Sequence, residues 1–214
     1  LVVGRLHVIT DTRAGRNPLA VVTAALEAGA PVVQVRGKGL SDRLFYEFAA
    51  RVLDRCHRHS AICVMNDRVH VALALGAHGV HVGEKDLPIA AARRLLDLDT
   101  GRRMVLGGTA RTADAARFHA TAGADYVGVG PCYETTTKVG LPTPGGAARV
   151  AAVAAVVDIP IIAIAGVTAS RVGELVEAGA WGVAVVSEVS DAPDPHRAVE
   201  GLLLALERAG MPAR

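Results

Sequence analysis

Glu27-Ala28-Gly29-Ala30, Leu75-Gly76-Ala77, Thr121-Ala122-Gly123-Ala124 and Glu177-Ala178-Gly179-Ala180 are copies of one junction. Each stands just before a run of apolar residues in which β-branched side chains recur. Glycine after a helix supplies the left-handed conformation that ends it and turns the chain into the next strand. The same turn used at separate points implies one βα unit used over and over.

Working outward from those junctions, eight apolar runs read as strands. They are 6–10, 32–36, 62–66, 79–82, 104–109, 126–130, 161–165 and 182–186. Segments with helical spacing lie between them, at 19–27, 41–57, 90–96, 113–120, 146–157, 170–177 and 195–209. About eight such units with no break in composition predict one domain over residues 1–214, a single (β/α)8 TIM barrel. A doubly wound open sheet is the alternative, but no GxGxxG follows the first strand.

Composition narrows the classes. The 214 residues are 51% hydrophobic but only 3% aromatic, so a core of Val, Ile, Leu and Ala is expected. A net charge of +2 is too weak to imply nucleic acid. The three cysteines, Cys56, Cys63 and Cys132, have no CxxC spacing, which fits a reducing compartment better than a disulfide framework. No signal-peptide pattern is visible, and the longest apolar stretch is broken by Asp158 and Pro160. A soluble cytoplasmic protein with no nucleic-acid or membrane partner is expected, with room left for a homo-oligomer.

Active sites of such barrels sit at the C-terminal ends of the strands. Three polar segments fall there: Gln34-Val35-Arg36-Gly37-Lys38, Asn66-Asp67-Arg68 and Thr135-Thr136-Thr137-Lys138. Gln34, Arg36 and Lys38 are spaced by two and share one face while strand geometry persists. Arg and Lys both suit phosphate oxygens, although a strand-end salt-bridge cluster would read the same. Asp67 and Asp86 end neighbouring strands and supply the hard oxygens that hold Mg²⁺. Asp86 reads equally well as the residue that starts the helix after Leu87-Pro88. The threonine loop, with Gly140, Gly145 and Gly146 nearby, suits folding over an anion, or is a surface turn. Gly166 and Val186-Ser187, at the last two strand ends, suit a phosphate held by backbone N–H groups. His57, His59, His119 and His196 read as surface groups on helices. His81 reads as a hydrogen-bonded interior histidine and Cys132 as a packed thiol.

Together these segments resemble the thiamine phosphate synthase family. The likeness runs from Leu6-His7-Val8-Ile9-Thr10-Asp11 to Val185-Val186-Ser187. It is sharpest at 34–38, at Asn66-Asp67-Arg68-Val69, at 79–88, at 126–138 and at Ile164-Ala165-Gly166-Val167. The resemblance implies a transferase that joins a hydroxymethylpyrimidine diphosphate to a thiazole phosphate, such as the carboxythiazole phosphate, and releases pyrophosphate. It implies that the pyrimidine–oxygen bond breaks first, leaving a carbocation for the thiazole nitrogen to capture. Gln34 would orient the pyrimidine, Arg36, Lys38, Lys138 and Asn66 would hold the diphosphate, and Asp67 with Asp86 would bind Mg²⁺. Arg36, Lys38, Lys138 and Thr109 would act at the reacting bond. Thr135, Thr136, Thr137, Gly166, Val186 and Ser187 would complete the substrate site around the thiazole phosphate.

Two positions depart from the family pattern. Thr109 stands where serine is usual and Arg111 where histidine is common, both on the pyrimidine side. The related thiazole tautomerases share the barrel but carry a Gly-His pair where this chain has Gly130-Pro131. A non-catalytic phosphate-binding regulatory barrel is the third reading, and it would have no use for the acidic pair.

Overall fold

The computed structural model describes residues 3–99, 101–138 and 140–211. The few remaining positions of the expected 1–214 domain lie outside the described residues. Eight parallel strands close on themselves in sequence order, each hydrogen-bonded to the next and the last to the first. They are β1 (Leu6–Ile9), β2 (Val32–Val35), β3 (Ile62–Asn66), β4 (Gly79–Val82), β5 (Val105–Ala110), β6 (Tyr126–Val129), β7 (Ile161–Ile164) and β8 (Gly182–Val185). This is the (β/α)8 barrel that the repeated junction implied.

The helices between them are α1 (Pro18–Glu27), α2 (Asp42–Arg58), α3 (Val69–Leu75), α4 (Ile89–Leu96), α5 (Ala113–Thr121), α6 (Gly146–Ala154), α7 (Val172–Glu177), α8 (Ser187–Ser190) and α9 (Pro195–Arg208). Asn17, Ser41, Thr112 and Asp194 cap α1, α2, α5 and α9 by accepting from a backbone N–H of the first turn. The junction glycines behave as their positions demand. Gly29, Gly76, Gly123 and Gly179 all have positive φ, from 65° to 102°.

Alternation along each strand splits the apolar side chains into two layers. Residues such as Val33, Val35, Met65 and Val80 point outward to α2–α4, while Leu6, Val127, Ala163 and Val183 pack beneath α6, α7 and α9. The inward set is less aliphatic than the composition suggests. Ile9, Val105, Ile162 and Ala184 share the interior with Tyr126, His7 and His81. Glycine makes room for those rings: a Cβ on Gly107 would lie 2.1 Å from the Tyr126 ring, and one on Gly128 would lie 3.0 Å from His81.

Candidate active site

A cavity of about 340 Å³ opens at the C-terminal ends of the strands. Gln34, Arg36, Lys38, Asn66, Asp67, Asp86, Thr109, Thr135, Thr137, Lys138, Gly166, Val186 and Ser187 all line it. Of the residues expected there, Thr136 is the exception. It is exposed and instead lines a neighbouring hollow with Tyr133, Glu134 and Pro142.

Backbone geometry aims the polar groups. Asp67 follows the last residue of β3 with φ of 67°, a left-handed conformation that Asp tolerates better than most residues. Its N–H donates to the His81 carbonyl at 2.8 Å, tying the β3 end to β4. The Asp67 carboxylate accepts from the Asn66 amide and pairs with Lys38 Nζ at 3.1 Å. Asp86 does not cap the following helix: Pro88 holds that position, and the Asp86 carboxylate accepts from the Gly83 N–H at 2.9 Å. That bond turns Asp86 back toward Asp67: a Cβ on Gly83 would lie 2.6 Å from Asp86 Oδ2 and 4.0 Å from Asp67 Oδ1. Burial and then the neighbouring Asp86 push Asp67 up to about 6, against the pull of Lys38. Burial raises Asp86 as well, but the bond from Asp67, the Gly83 N–H and the two lysines outweigh it, and its net shift is downward.

The cations converge from several strands. Burial, followed by the charges of Lys38, Arg111 and Arg36, lowers the Lys138 ammonium from its ordinary value. Arg111 also lines the cavity and pairs with Glu84 at 3.0 Å. On the opposite side Ala165 and Gly166 are both left-handed, with φ of 78° and 63°. A Cβ on Gly166 would meet the Glu134 carbonyl oxygen at 2.4 Å, so the threonine loop packs directly on that glycine. Arg171 donates to the Gly166 carbonyl at 2.5 Å and stacks over Tyr133, bracing the same turn. Thr137 Oγ1 is buried and has no hydrogen-bond partner among the described residues. A buried hydroxyl of this kind is free to pair with a water or with a ligand oxygen in the cavity.

Thr10 escaped the sequence reading as a supporting residue, and Arg68, expected with Asn66 and Asp67 at the strand-end site, supports it from outside the cavity. Thr10 Oγ1 accepts from the Arg36 N–H and donates to the Arg36 carbonyl, both at 2.8 Å, fixing the backbone that carries the guanidinium. Arg68 turns away from the cavity, lies over Phe45 and donates to the Ser41 and Leu40 carbonyls, clamping the loop that carries Lys38. His119 is not a free surface group either. Its Nε2 lies 3.0 Å from the Thr109 carbonyl oxygen, behind the pocket floor.

A parallel barrel whose strand-end mouth gathers converging cations, a close acidic pair and a hydroxyl loop defines a class: a TIM-barrel protein with a site for phosphorylated ligands. Residues 6–189 match the family model described as thiamine monophosphate synthase. The chain is 53% identical over 206 residues to the thiamine-phosphate synthase of Salinispora arenicola, covering 95% of this chain and 97% of that one. It is 54% identical, with the same coverage, to the enzyme of that name from Salinispora tropica. The structure superposes on a thiamine phosphate pyrophosphorylase from Pyrococcus furiosus with a TM-score of 0.87 and 30% identity, covering 96% of each chain. The chain belongs to the thiamine monophosphate synthase family. It is a transferase of thiamine biosynthesis.

Proposed function

We propose that this barrel couples a hydroxymethylpyrimidine diphosphate to a thiazole phosphate, giving thiamine phosphate and pyrophosphate with the help of Mg²⁺. The observation that carries the reading is the facing pair Asp67 and Asp86 beside Lys38, Lys138 and Arg36 in one cavity. The donor set fits the ion. Among the described residues no group of three or more His, Cys, Asp or Glu side chains stands ready for a metal. Two carboxylates leave the remaining positions to water and diphosphate oxygens, as Mg²⁺ prefers. Bound between Asp67 and Asp86, the ion would neutralise charge on the diphosphate.

In this scheme the bond between the pyrimidine methylene and the diphosphate oxygen breaks heterolytically, and its electron pair leaves with pyrophosphate. The thiazole nitrogen then gives its lone pair to the carbocation and forms the new C–N bond. Arg36, Lys38 and Lys138 meet the growing negative charge, so they stabilise the transition state more than the substrate. Gln34 and Thr109 hold the pyrimidine. Thr135, the unpaired Thr137 hydroxyl, Gly166 and Ser187 receive the thiazole phosphate. No nucleophilic side chain is required.

Cytoplasmic residence belongs to the same proposal, and the three free, buried cysteines support it. No described helix is long and apolar enough to cross a membrane. The test is direct: purified protein with Mg²⁺ and both phosphorylated substrates should release thiamine phosphate and pyrophosphate in equal amounts. Folded protein that forms no product would overturn the reading.

A further inference from the structure

Beneath the pocket floor the strands bury a line of polar contacts that the coupling scheme does not use. Tyr126 Oη lies 3.0 Å from His81 Nδ1, and His81 Nε2 lies 3.0 Å from Thr109 Oγ1. Tyr126 is only 1% exposed and is not part of the cavity wall, whereas His81 and Thr109 are. Gly107 and Gly128 keep the space that these two rings fill. The arrangement is therefore built into three strands.

The direction of the protons follows from counting them. A neutral imidazole has one donor and one acceptor, and a tyrosine hydroxyl has one proton to give. Both His81 ring nitrogens face hydroxyls, and no carboxylate pairs with the ring among the described residues, so the counting is done for the neutral imidazole. If Thr109 donated to Nε2, Nδ1 would donate to Tyr126 and the phenol proton would be buried with no acceptor. An orphaned buried donor is costly. In the reverse direction Tyr126 donates to Nδ1 and Nε2–H donates to Thr109 Oγ1. The Thr109 proton is then left for the cavity. Every buried proton in the line has an acceptor only in this second arrangement.

We propose that Tyr126 is a positioning residue that fixes His81 as its Nε2–H tautomer, so that Thr109 meets the bound substrate as a hydrogen-bond donor. The substrate group at Thr109 is accordingly an acceptor, of the kind a ring nitrogen of an aminopyrimidine provides. The identity of that acceptor rests on the proposed coupling reaction, but the tautomer does not. Tyr126 keeps its own proton, since burial raises its phenol far above neutrality.

Nitrogen NMR of ¹⁵N-histidine-labelled, substrate-free protein near pH 7 reads the tautomer directly. His81 should show a protonated Nε2 and a bare Nδ1, and Tyr126→Phe should let the Nδ1–H form appear. In the coupling assay Tyr126→Phe should lower kcat/KM by roughly five- to ten-fold, the loss of one buried hydrogen bond. The double variant Tyr126→Phe, Thr109→Val should then lose no more than Thr109→Val alone. A wild-type His81 with a protonated Nδ1, or strictly additive losses, overturns the proposal. If Tyr126→Phe fails to fold, the wild-type spectrum still decides. A protein that forms no product but shows the Nε2–H tautomer would sink the coupling reaction and leave the relay standing.

Discussion

The ends of β2, β3 and β4 bring Arg36, Lys38, Asp67 and Asp86 to one wall of the pocket, while the ends of β7 and β8 bring Gly166, Val186 and Ser187 to the other. Charge crowds the first wall. The second offers backbone, hydroxyls and small apolar side chains, and among the described residues Lys138 is the cation that lines the cavity from the β6 side. The contrast matches what each wall would be asked to do. In the proposed coupling, a diphosphate on the first wall would gain charge as its bond to carbon breaks, and opposite charges there would favour the transition state selectively. A phosphate monoester on the second would keep the same charge throughout, so a strong cation would tighten binding without speeding the chemistry. A neutral cradle is sufficient.

The sharpest way to break this comparison is to remove the acid at its centre. Asp67→Ala should lower kcat by about 10²-fold or more with Mg²⁺ present, because an ion and its charge-neutralising ligand act at the developing charge. Steady-state rates over a Mg²⁺ titration check this. Turnover equal to wild type would mean that the acidic pair has no part in the chemistry. On the neutral wall, Gly166→Ala should act through binding. The new Cβ would collide with the Glu134 carbonyl at 2.4 Å in a residue with φ of 63°. Displacing that turn should raise KM for the thiazole phosphate about ten-fold and cost ~1–3 kcal/mol of stability, while kcat moves less. Equal losses in kcat from both walls would erase the distinction.

Much of this was legible before any coordinates, because its signals are local. A helix-ending glycine must adopt positive φ wherever it stands, so the four junctions could be read one at a time. Strand ends then placed Arg36, Asp67, Asp86, Lys138 and Ser187 at one mouth by topology alone. What depended on partners across the barrel was hidden. α3 is seven residues of nearly continuous apolar sequence, with too little polar contrast to show a helical period. Arg68 stands in the same tripeptide as Asn66 and Asp67, yet the turn after β3 swings it onto Phe45. Thr10 carries no motif, and its value lies in the Arg36 backbone on the next strand. The placing of Gly107 and Gly128 on inward-facing strand positions was the available sign that rings, rather than aliphatic chains, fill the interior.

Those interior rings predict how stability depends on pH, independently of either wall. Burial lowers His7 to about 4 and His81 to about 3, below the 6.5 expected for an exposed histidine. The unfolded chain therefore binds more protons than the folded one as pH falls through 6.5, and stability falls with it. Between pH 7.5 and 5.5 the loss should be roughly 1 kcal/mol per buried histidine. Asp67, raised to about 6, works the other way by taking up a proton in the folded state below that pH. Urea melts of the Asp67→Asn variant should accordingly lose stability more steeply on acidification than wild type. Equal slopes would mean that the carboxyl pair is not coupled as the geometry indicates.

The smallest expected effect tests where the charged wall stops. Arg111 follows the end of β5, lines the cavity and is held by Glu84, whose side chain is 58% exposed. An ion pair so open to water is worth about 0–1 kcal/mol, so the guanidinium can leave Glu84 for a phosphate oxygen at little cost. It adds field to Lys138 but does not contact the acidic pair. Arg111→Ala should therefore raise KM for the pyrimidine diphosphate by only a few-fold, more at low salt than at high, and leave kcat near the wild-type value. If kcat instead drops as far as in Lys138→Ala, Arg111 meets the departing charge, and the wall that handles bond breaking extends past β4 to β5.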